Sequence, residues 1–434
     1  MTITRSYTIQ GSTLVKSPGA IVLFEDQAAI TTEPLSLTRP VWDLRCGIRT
    51  LREKILAYFP QAAEYHFTRP YLSGNYPGAK PSPEKGIDLL WINGCLIPGV
   101  NFKRVLDLAP GDALVSDGRV IAFCGNPPSG WEAGTALDLH EFNSIEAVKL
   151  SGSGTPGVQA TPTTEALTNI GVLVTYIWEA IGAMNEQIDI EARELRSLGQ
   201  LDGNVHKNAS LVSEEDIYLA DGSDIMSGVV LDASNGPIVA DEGVIIGYNS
   251  IIEGPVYLGA GSQVKPLSHI RGSCFGEQSR MGGEVSVSII QDYSNKQHGG
   301  FLGHSYIGSW CNLGSGTETS NLKNNYTPVK VQVGSKLVDT GQLFVGLMMG
   351  DHSKSAIGSV FNTGTVMGVG SMIFGAGFPP RYVPSFNWGG AEKLTKYPLK
   401  PTLETARSVM RRRQKELTDG EIKILTWIHE NRTS

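Results

Sequence analysis

The stretch IIGYNSIIEGPVYLGAGSQVKPLSHI, residues 245–270, decides the fold. Stepping by six from Ile246 meets Ile252, Leu258, Val264 and Ile270, all aliphatic, with glycine directly after Ile246 and Leu258. This period fits neither the roughly 3.6-residue turn of an α-helix nor the alternation of a flat strand. It fits a solenoid whose triangular coil has three short sides. The aliphatic residue points inward, and a glycine or other small residue takes the corner, where φ is positive or another backbone comes close. A second register contains Ile307 and Leu313, and a third runs through Val333, Val345, Ile357 and Val369, each followed by glycine.

The register breaks twice. Between Leu313 and Val333 the insert TETSNLKNNYTPVK, residues 317–330, is polar, and the reading predicts a loop ejected from the coil, too polar to be buried within one chain. The other break spans about Ser273 to Phe301 and ends in DYSNKQHGGFLGHSYIG, which sets His298 two residues after a lysine and ahead of two glycines.

Composition narrows the function. Of the 51 glycines in 434 residues, 26 lie within 236–377, so the excess belongs to the repeat and not to a linker. A net charge of −7 argues against a nucleic-acid binder held by phosphate contacts. The opening MTITRSYTIQ has no apolar run, which predicts no secretory signal, and the apolar stretch Ile170 to Met184 is too short to span a bilayer. Five cysteines with no CxxC spacing fit a reducing cytoplasm without structural zinc.

Ahead of the repeat the texture changes. Aliphatic runs at 20–24, 87–94 and 113–124 alternate with a helical stretch predicted over Gly47 to Phe59, which reads as an α/β layer domain. The segment SGSGTPGVQATPTT at 151–164 reads as a linker and 165–198 as helix. In the tail, Thr402 is expected to cap a helix from Leu403 to Leu417 that carries Arg411, Arg412 and Arg413. Thr418 and Glu421 have capping-box spacing for a last helix.

The run NKQHGGFLGHSYIGSWCNLGSGTETSN, residues 295–321, resembles the hexapeptide region of the bifunctional N-acetylglucosamine-1-phosphate uridylyltransferase / glucosamine-1-phosphate acetyltransferases and their archaeal relatives. That family's histidine, aromatic-Leu-Gly, Asn-(Ile/Leu)-Gly-(Ala/Ser)-Gly-Thr and later asparagine fall without gaps on His298, Phe301-Leu302-Gly303, Asn312 to Thr317 and Asn321. The resemblance implies a left-handed parallel β-helix and acetyl-CoA as acyl donor. His298 would then be the base that takes a proton from an attacking amine, a role suited to an imidazole at neutral pH. It further implies that Asn312, Asn321 and Phe301 position a sugar phosphate and that Lys330, or Lys323, meets a phosphate. Lys265-Pro266 stands near the family's Arg-Pro with a three-residue shift. Phe301 replaces the family's sugar-contacting tyrosine and so lacks its hydroxyl, and the family's lysine twelve residues before the base falls on Ser286.

The front run LTRPVWDLRCGI, residues 37–48, is similar to the divergent front domains of sugar nucleotidyltransferases in this group. The family's Gly-x-Gly-Thr-Arg phosphate loop is missing after the strand AIVLF. Arg39, Arg45 and Asn93 are the nucleotide- or phosphate-binding candidates, because guanidinium groups bind phosphate bidentately without such a loop. The family's magnesium-binding aspartate aligns with Cys95, a poor ligand for Mg2+, so Mg2+ stays an open cofactor of the front domain and no metal residue is assigned.

Together these readings predict a Rossmann-like α/β nucleotidyltransferase-like domain with a helical linker over 1–200, a left-handed β-helix over 201–378 and a helical extension over 379–434. They predict a cytoplasmic homotrimeric transferase of nucleotide-sugar biosynthesis for the cell envelope, whose partners are sugar phosphates, a nucleoside triphosphate and acetyl-CoA. Nucleic acid and membrane are not expected partners. Two alternatives stay open: a β-helix acyltransferase whose front domain only binds, and a non-enzymatic hexapeptide scaffold.

Overall fold

The computed structural model describes residues 18–76, 89–146 and 169–433, so the amino-terminal decapeptide and the 151–164 segment lie outside it. The front domain is built on β1 (Ala20–Phe24), whose five residues are all buried. It pairs in parallel with β2 (Ala63–Phe67) and β3 (Leu90–Asn93). Strand β4 (Leu96–Pro98) leaves this sheet, the hairpin of β5 (Asp112–Ser116) and β6 (Arg119–Cys124) extends it with β6 antiparallel to β3, and Asn143–Glu146, parallel to β5, completes its six strands. A strand of apolar residues without alternation suits a sheet covered on both faces.

Two helices are shorter than their apolar spacing predicts. After α1 (Ala28–Thr31), α2 runs only from Leu51 to Leu56. Thr50 sets its start, since its hydroxyl accepts from Glu53 N–H while the Glu53 carboxylate accepts from Thr50 N–H. Gly47, at φ +94°, turns the chain ahead of this cap. Helix α3 is Ile177–Leu195 rather than 165–198, because Gly171–Leu173 is a strand paired with β4.

From Asn204 to Gly389 the chain winds as a parallel β-helix with three faces. The covered face carries strands from Ile217–Leu219 to Tyr382–Val383, and α3 and the front domain pack on it. The tail face runs from Asn204–Val205 to Asn387–Gly389. The open face runs from Ser210–Val212 to Phe301–Gly303. The first register is correct: Ile246, Ile252, Leu258, Val264 and Ile270 are all at most 2% exposed and point inward. Shortened corners cause the break after Ile270. The next inward residues are Phe275, Met281, Val285, Ile290 and Lys296, so the steps are five, six, four, five and six residues.

The third register is displaced. The inward column there is Met349, Ser355, Phe361, Met367 and Ile373, two residues out of phase with Ile357 and Val369. Ile357 is 79% exposed at a corner, and Val333 lies in an antiparallel hairpin of Lys330–Val333 with Lys336–Asp339. Glycine misled the reading because it serves two purposes. Gly247 and Gly314 follow inward residues where a Cβ would strike the next coil, at 2.6 Å from Pro266 N and against the carbonyl carbon of Ala356. Gly358 instead sits at a corner with φ +68° and open space around it. The insert corrects another expectation. Val329 and Val331 are fully buried within the same chain, while Asn324, Asn325 and Tyr326 stay exposed.

The tail closes the molecule. Helix α4 spans Leu399–Arg411, so Thr402 lies inside it, its hydroxyl donating to Pro398 C=O, and does not cap it. Helix α5 (Asp419–Asn431) has the expected Thr418–Glu421 capping box. Its Trp427 stacks on Tyr71 at 3.7 Å, and Ile424, Leu425 and Ile428 pack against Leu37, Leu72 and Phe386. Tail, front domain and β-helix thus share one apolar cluster.

The two glycine roles predict different penalties. Gly358→Ala forces an L-residue into the left-handed region and should cost about 1–2 kcal/mol. Gly314→Ala drives a Cβ into backbone and should cost more, about 3 kcal/mol. Urea unfolding midpoints of the two variants check the order.

Candidate functional site

In the front domain the loop after β1 is held by ion pairs. Glu25, fully buried, takes both its oxygens to the Arg69 guanidinium and accepts also from Thr68 and from Val41 N–H. Asp26 accepts a bidentate contact from Arg119 at 2.8 and 2.9 Å, together with Ala28 N–H and the Asn93 amide. Asn93, the predicted nucleotide contact, is fully buried and divided between Asp26 and Val120 C=O. Cys95 is buried beside Asp26. Desolvation, reinforced by the Asp26 carboxylate, raises its thiol well above the usual range. These donors do not fit Mg2+, since the carboxylate oxygens are already taken and the thiol stays protonated. Among the described residues no group of three or more His, Cys, Asp or Glu side chains is placed to hold a metal ion.

The run 37–48 faces the β-helix. Arg39 pairs with Asp351 and reaches Ser309 Oγ at 3.2 Å, and Thr38 donates to the same Asp351 at 2.8 Å. Arg45 lies 5.6 Å over the Tyr257 ring and 3.5 Å from Asp292. The structure does not gather Arg39, Arg45 and Asn93 around one point. Arg39 lines a cleft of about 770 Å³ between front domain, β-helix and α5, while Arg45 and Asn93 do not. The far wall is a ring ladder on successive coils: Tyr293 stacks on Trp310 at 4.2 Å, and Trp310 on His352 at 6.4 Å. All three occupy left-handed corner positions, with φ near +60°.

The second locus is the edge between the tail and open faces. His298 is exposed at this corner. Beneath it Lys296 takes an inward position that the neighbouring rungs fill with Met281 and Leu313. Its Nζ donates to His298 C=O at 2.7 Å and to Gly282 C=O at 3.1 Å. Burial lowers this ammonium to about 8. Asn312 faces outward on the tail face, one rung above Asn295, and Phe301 starts the adjoining open-face strand. Lys265 lies on the same edge two coils below and donates to Gln263 Oε1 at 2.9 Å.

The other predicted contacts go elsewhere. Asn321 sits at the opposite end of the open face, where its Nδ2 meets His304 Nδ1 at 2.9 Å. His304 stacks on Phe344 at 5.0 Å. Lys330 is exposed at the start of the hairpin. Within one chain His298, Phe301, Asn312 and Lys265 therefore share an edge, and Asn321 and Lys330 do not. The sequence reading missed Lys296, His304 and Asp351 as parts of these sites. Only the lysine left a signal, as a charged residue on an inward rung.

Residues 21–197 match the sugar nucleotidyl transferase family. The bifunctional protein GlmU of Methanococcus aeolicus is 32% identical over 149 residues, 30% of this chain and 36% of that protein. The bifunctional protein GlmU of Methanocaldococcus jannaschii is 38% identical over 136 residues, 31% of this chain and 33% of that protein. The chain thus spans about a third of the length of these curated relatives. Among solved structures, the Francisella novicida UDP-N-acetylglucosamine acyltransferase aligns over 52% of this chain and 91% of its own, at 11% identity and a TM-score of 0.27.

Two desolvated histidines, His304 half-buried and His352 buried, predict an acid-side loss of stability. Desolvation lowers His304, with Arg271 adding to the effect, and desolvation lowers His352; both reach about 4. Their unfolded forms take a proton near pH 6.5. The unfolded chain therefore binds more protons between pH 6.5 and 4. Stability is full above pH 6.5 and falls as the pH drops through that window. Chemical denaturation across the window should show a shallower slope in His304→Gln than in the parent chain.

Proposed function

We propose that this chain is a transferase of nucleotide-sugar biosynthesis that moves an acetyl group from acetyl-CoA to the amine of an amino-sugar phosphate on the β-helix. The observation that carries this reading is the His298 corner. An exposed imidazole stands on a backbone carbonyl that a buried lysine grips from inside the coil. That clamp fixes the loop without occupying the ring. In the proposed reaction His298 takes the proton from the acceptor ammonium, the freed amine attacks the thioester carbonyl, the C–N bond forms and the C–S bond breaks. As the thiolate leaves, the nitrogen sheds its second proton, which the thiolate takes up to give free coenzyme A. Asn312 and Phe301 border the acceptor, and Lys265 offers it a cation.

For the front domain we propose a binding role, with a nucleotide or sugar phosphate in the cleft that Arg39 lines. The saturated Glu25 and Asp26 favour binding over turnover there. The domain assignments 1–200, 201–378 and 379–434 form part of this proposal, as does a cytoplasmic location.

We also propose a homotrimer. Leu267 and Ile357 are 77% and 79% exposed along the corner that carries His298, an apolar edge suited to a neighbouring coil. A trimer brings one chain's Asn321 and Lys330 within range of another chain's His298 corner, which a single chain does not do. Light scattering at micromolar concentration should give three times the chain mass; a monodisperse monomer would overturn the proposal.

His298→Ala should lower kcat for thiol release from acetyl-CoA by about 10²–10⁴-fold and leave the acetyl-CoA KM nearly unchanged. Lys296→Met completes the aliphatic column, so it should keep the fold while kcat still falls. Thiol release that survives His298→Ala rejects the assignment.

A further inference from the structure

Outward positions on three successive rungs of the tail face are Gln263, Arg280 and Asn295, paired in register as adjacent parallel strands. Two more cations bracket this column. Lys265 donates to Gln263 Oε1 at 2.9 Å, and Arg413, just past the end of α4, donates from Nη2 to Asn295 Oδ1 at 3.1 Å. With rungs about 4.8 Å apart, the three cations lie within roughly 10 Å of one another. Each partner in this column is a neutral amide. Among the described residues none of the three has a carboxylate within ion-pairing distance, although Arg39, Arg69, Arg119 and Arg196 each do. Arg280 Nε is buried without a hydrogen-bond partner. Desolvation and then Arg280 and Arg413 lower Lys265, and desolvation and then Arg280 and Arg412 lower Arg413. Like charges packed on a half-buried face with no counterion cost stability until an anion joins them.

We propose that Arg280, Arg413 and Lys265 form a phosphate-binding subsite on the tail face. The guanidinium forks offer bidentate donors to phosphoryl oxygens, which a carboxamide column cannot supply alone. The carboxy-terminal tail thereby contributes a binding group to the edge that carries His298. Assigning the phosphate to an acyl-transfer substrate rests on the acetyltransferase reading above. Two sources share the chemistry, the phosphates of coenzyme A and the 1-phosphate of the acceptor sugar.

Calorimetric titration of the full chain tests the subsite with two matched pairs of probes: coenzyme A against pantetheine, and glucosamine-1-phosphate against glucosamine. The phosphate-bearing member of at least one pair should bind more tightly, and its affinity should fall as salt is raised. Arg280→Gln and Arg413→Gln should each weaken that member at least tenfold and leave its phosphate-free partner unchanged. Arg413→Lys should restore part of the loss. The pair that responds identifies the source of the phosphate. The proposal is overturned if neither pair discriminates, or if discrimination survives both glutamine variants. A thermal melt of each variant confirms that it is folded. Because the readout is binding, it separates from the parent reading. Arginine-dependent binding with no thiol release rejects the acetyltransferase and keeps the subsite, whereas His298-dependent turnover with unaltered binding in the variants does the reverse.

Discussion

The organisation of this molecule depends on one apolar row. On the covered face the outward residues of successive coils are Val239, Tyr257, Cys274, Ile289, Tyr306, Met348 and Val366, all buried. A free β-helix turns polar or small residues outward, so a row of this kind has to be covered. Helix α3 and the run 41–48 cover it. Their hydrogen bonds to the row, such as Tyr306 Oη to Arg45 C=O at 2.9 Å, satisfy the polar atoms that the contact buries. The same packing leaves Arg45 with Tyr257 and Asp292 as its partners, and it sets Arg39 against Asp351. A run whose arginines read as phosphate-binding candidates is thus, in three dimensions, largely the seam between two domains.

What the sequence revealed follows from the kind of constraint involved. The coil was legible from Ile246 to Ile270, because the inward aliphatic residues there repeat a single physical demand at every sixth position. Where corners shortened, the period no longer marked the inward rung, and glycine could not replace it. Gly314 and Gly358 are alike in sequence, yet one avoids a neighbouring backbone and the other adopts a left-handed turn. The Thr418–Glu421 cap was legible because it is local. The Thr402 cap was not, since Pro398 begins the helix a turn earlier. Of the candidate site residues, His298, Asn312, Phe301 and Lys265 come to lie along one edge because their register follows the coil. Asn321 departed because the chain had already turned the corner of the open face to reach His304.

The front domain keeps a nucleotidyltransferase-like sheet and changes what its first loop does. In place of backbone N–H groups cradling a phosphate, buried carboxylates follow β1, and each recruits its own arginine. A buried pair of this kind adds little net stability, but losing one partner leaves an uncompensated charge and costs much more. The loop is therefore rigid. The cleft that remains, between Arg39 and the Tyr293–Trp310–His352 ladder, is walled by three parts of the chain and not by the sheet alone.

This arrangement also bears on why outward cations gather along one edge. A triangular coil has three faces, and here the covered face is spent on domain docking. Polar outward columns are confined to the other two, and on the tail face Lys265, Arg280 and Arg413 gather along one column with amide partners only. His298 lies where those two faces meet. Lys296 is the cost of holding it there: an ammonium inside an aliphatic column, stabilised by two carbonyl oxygens at the corner it grips. Packing alone would favour methionine or leucine at that rung, as on the rungs below and above. A buried cation that gives up core packing to fix the backbone under an exposed imidazole is the strongest structural argument that the His298 corner serves chemistry and not only the coil.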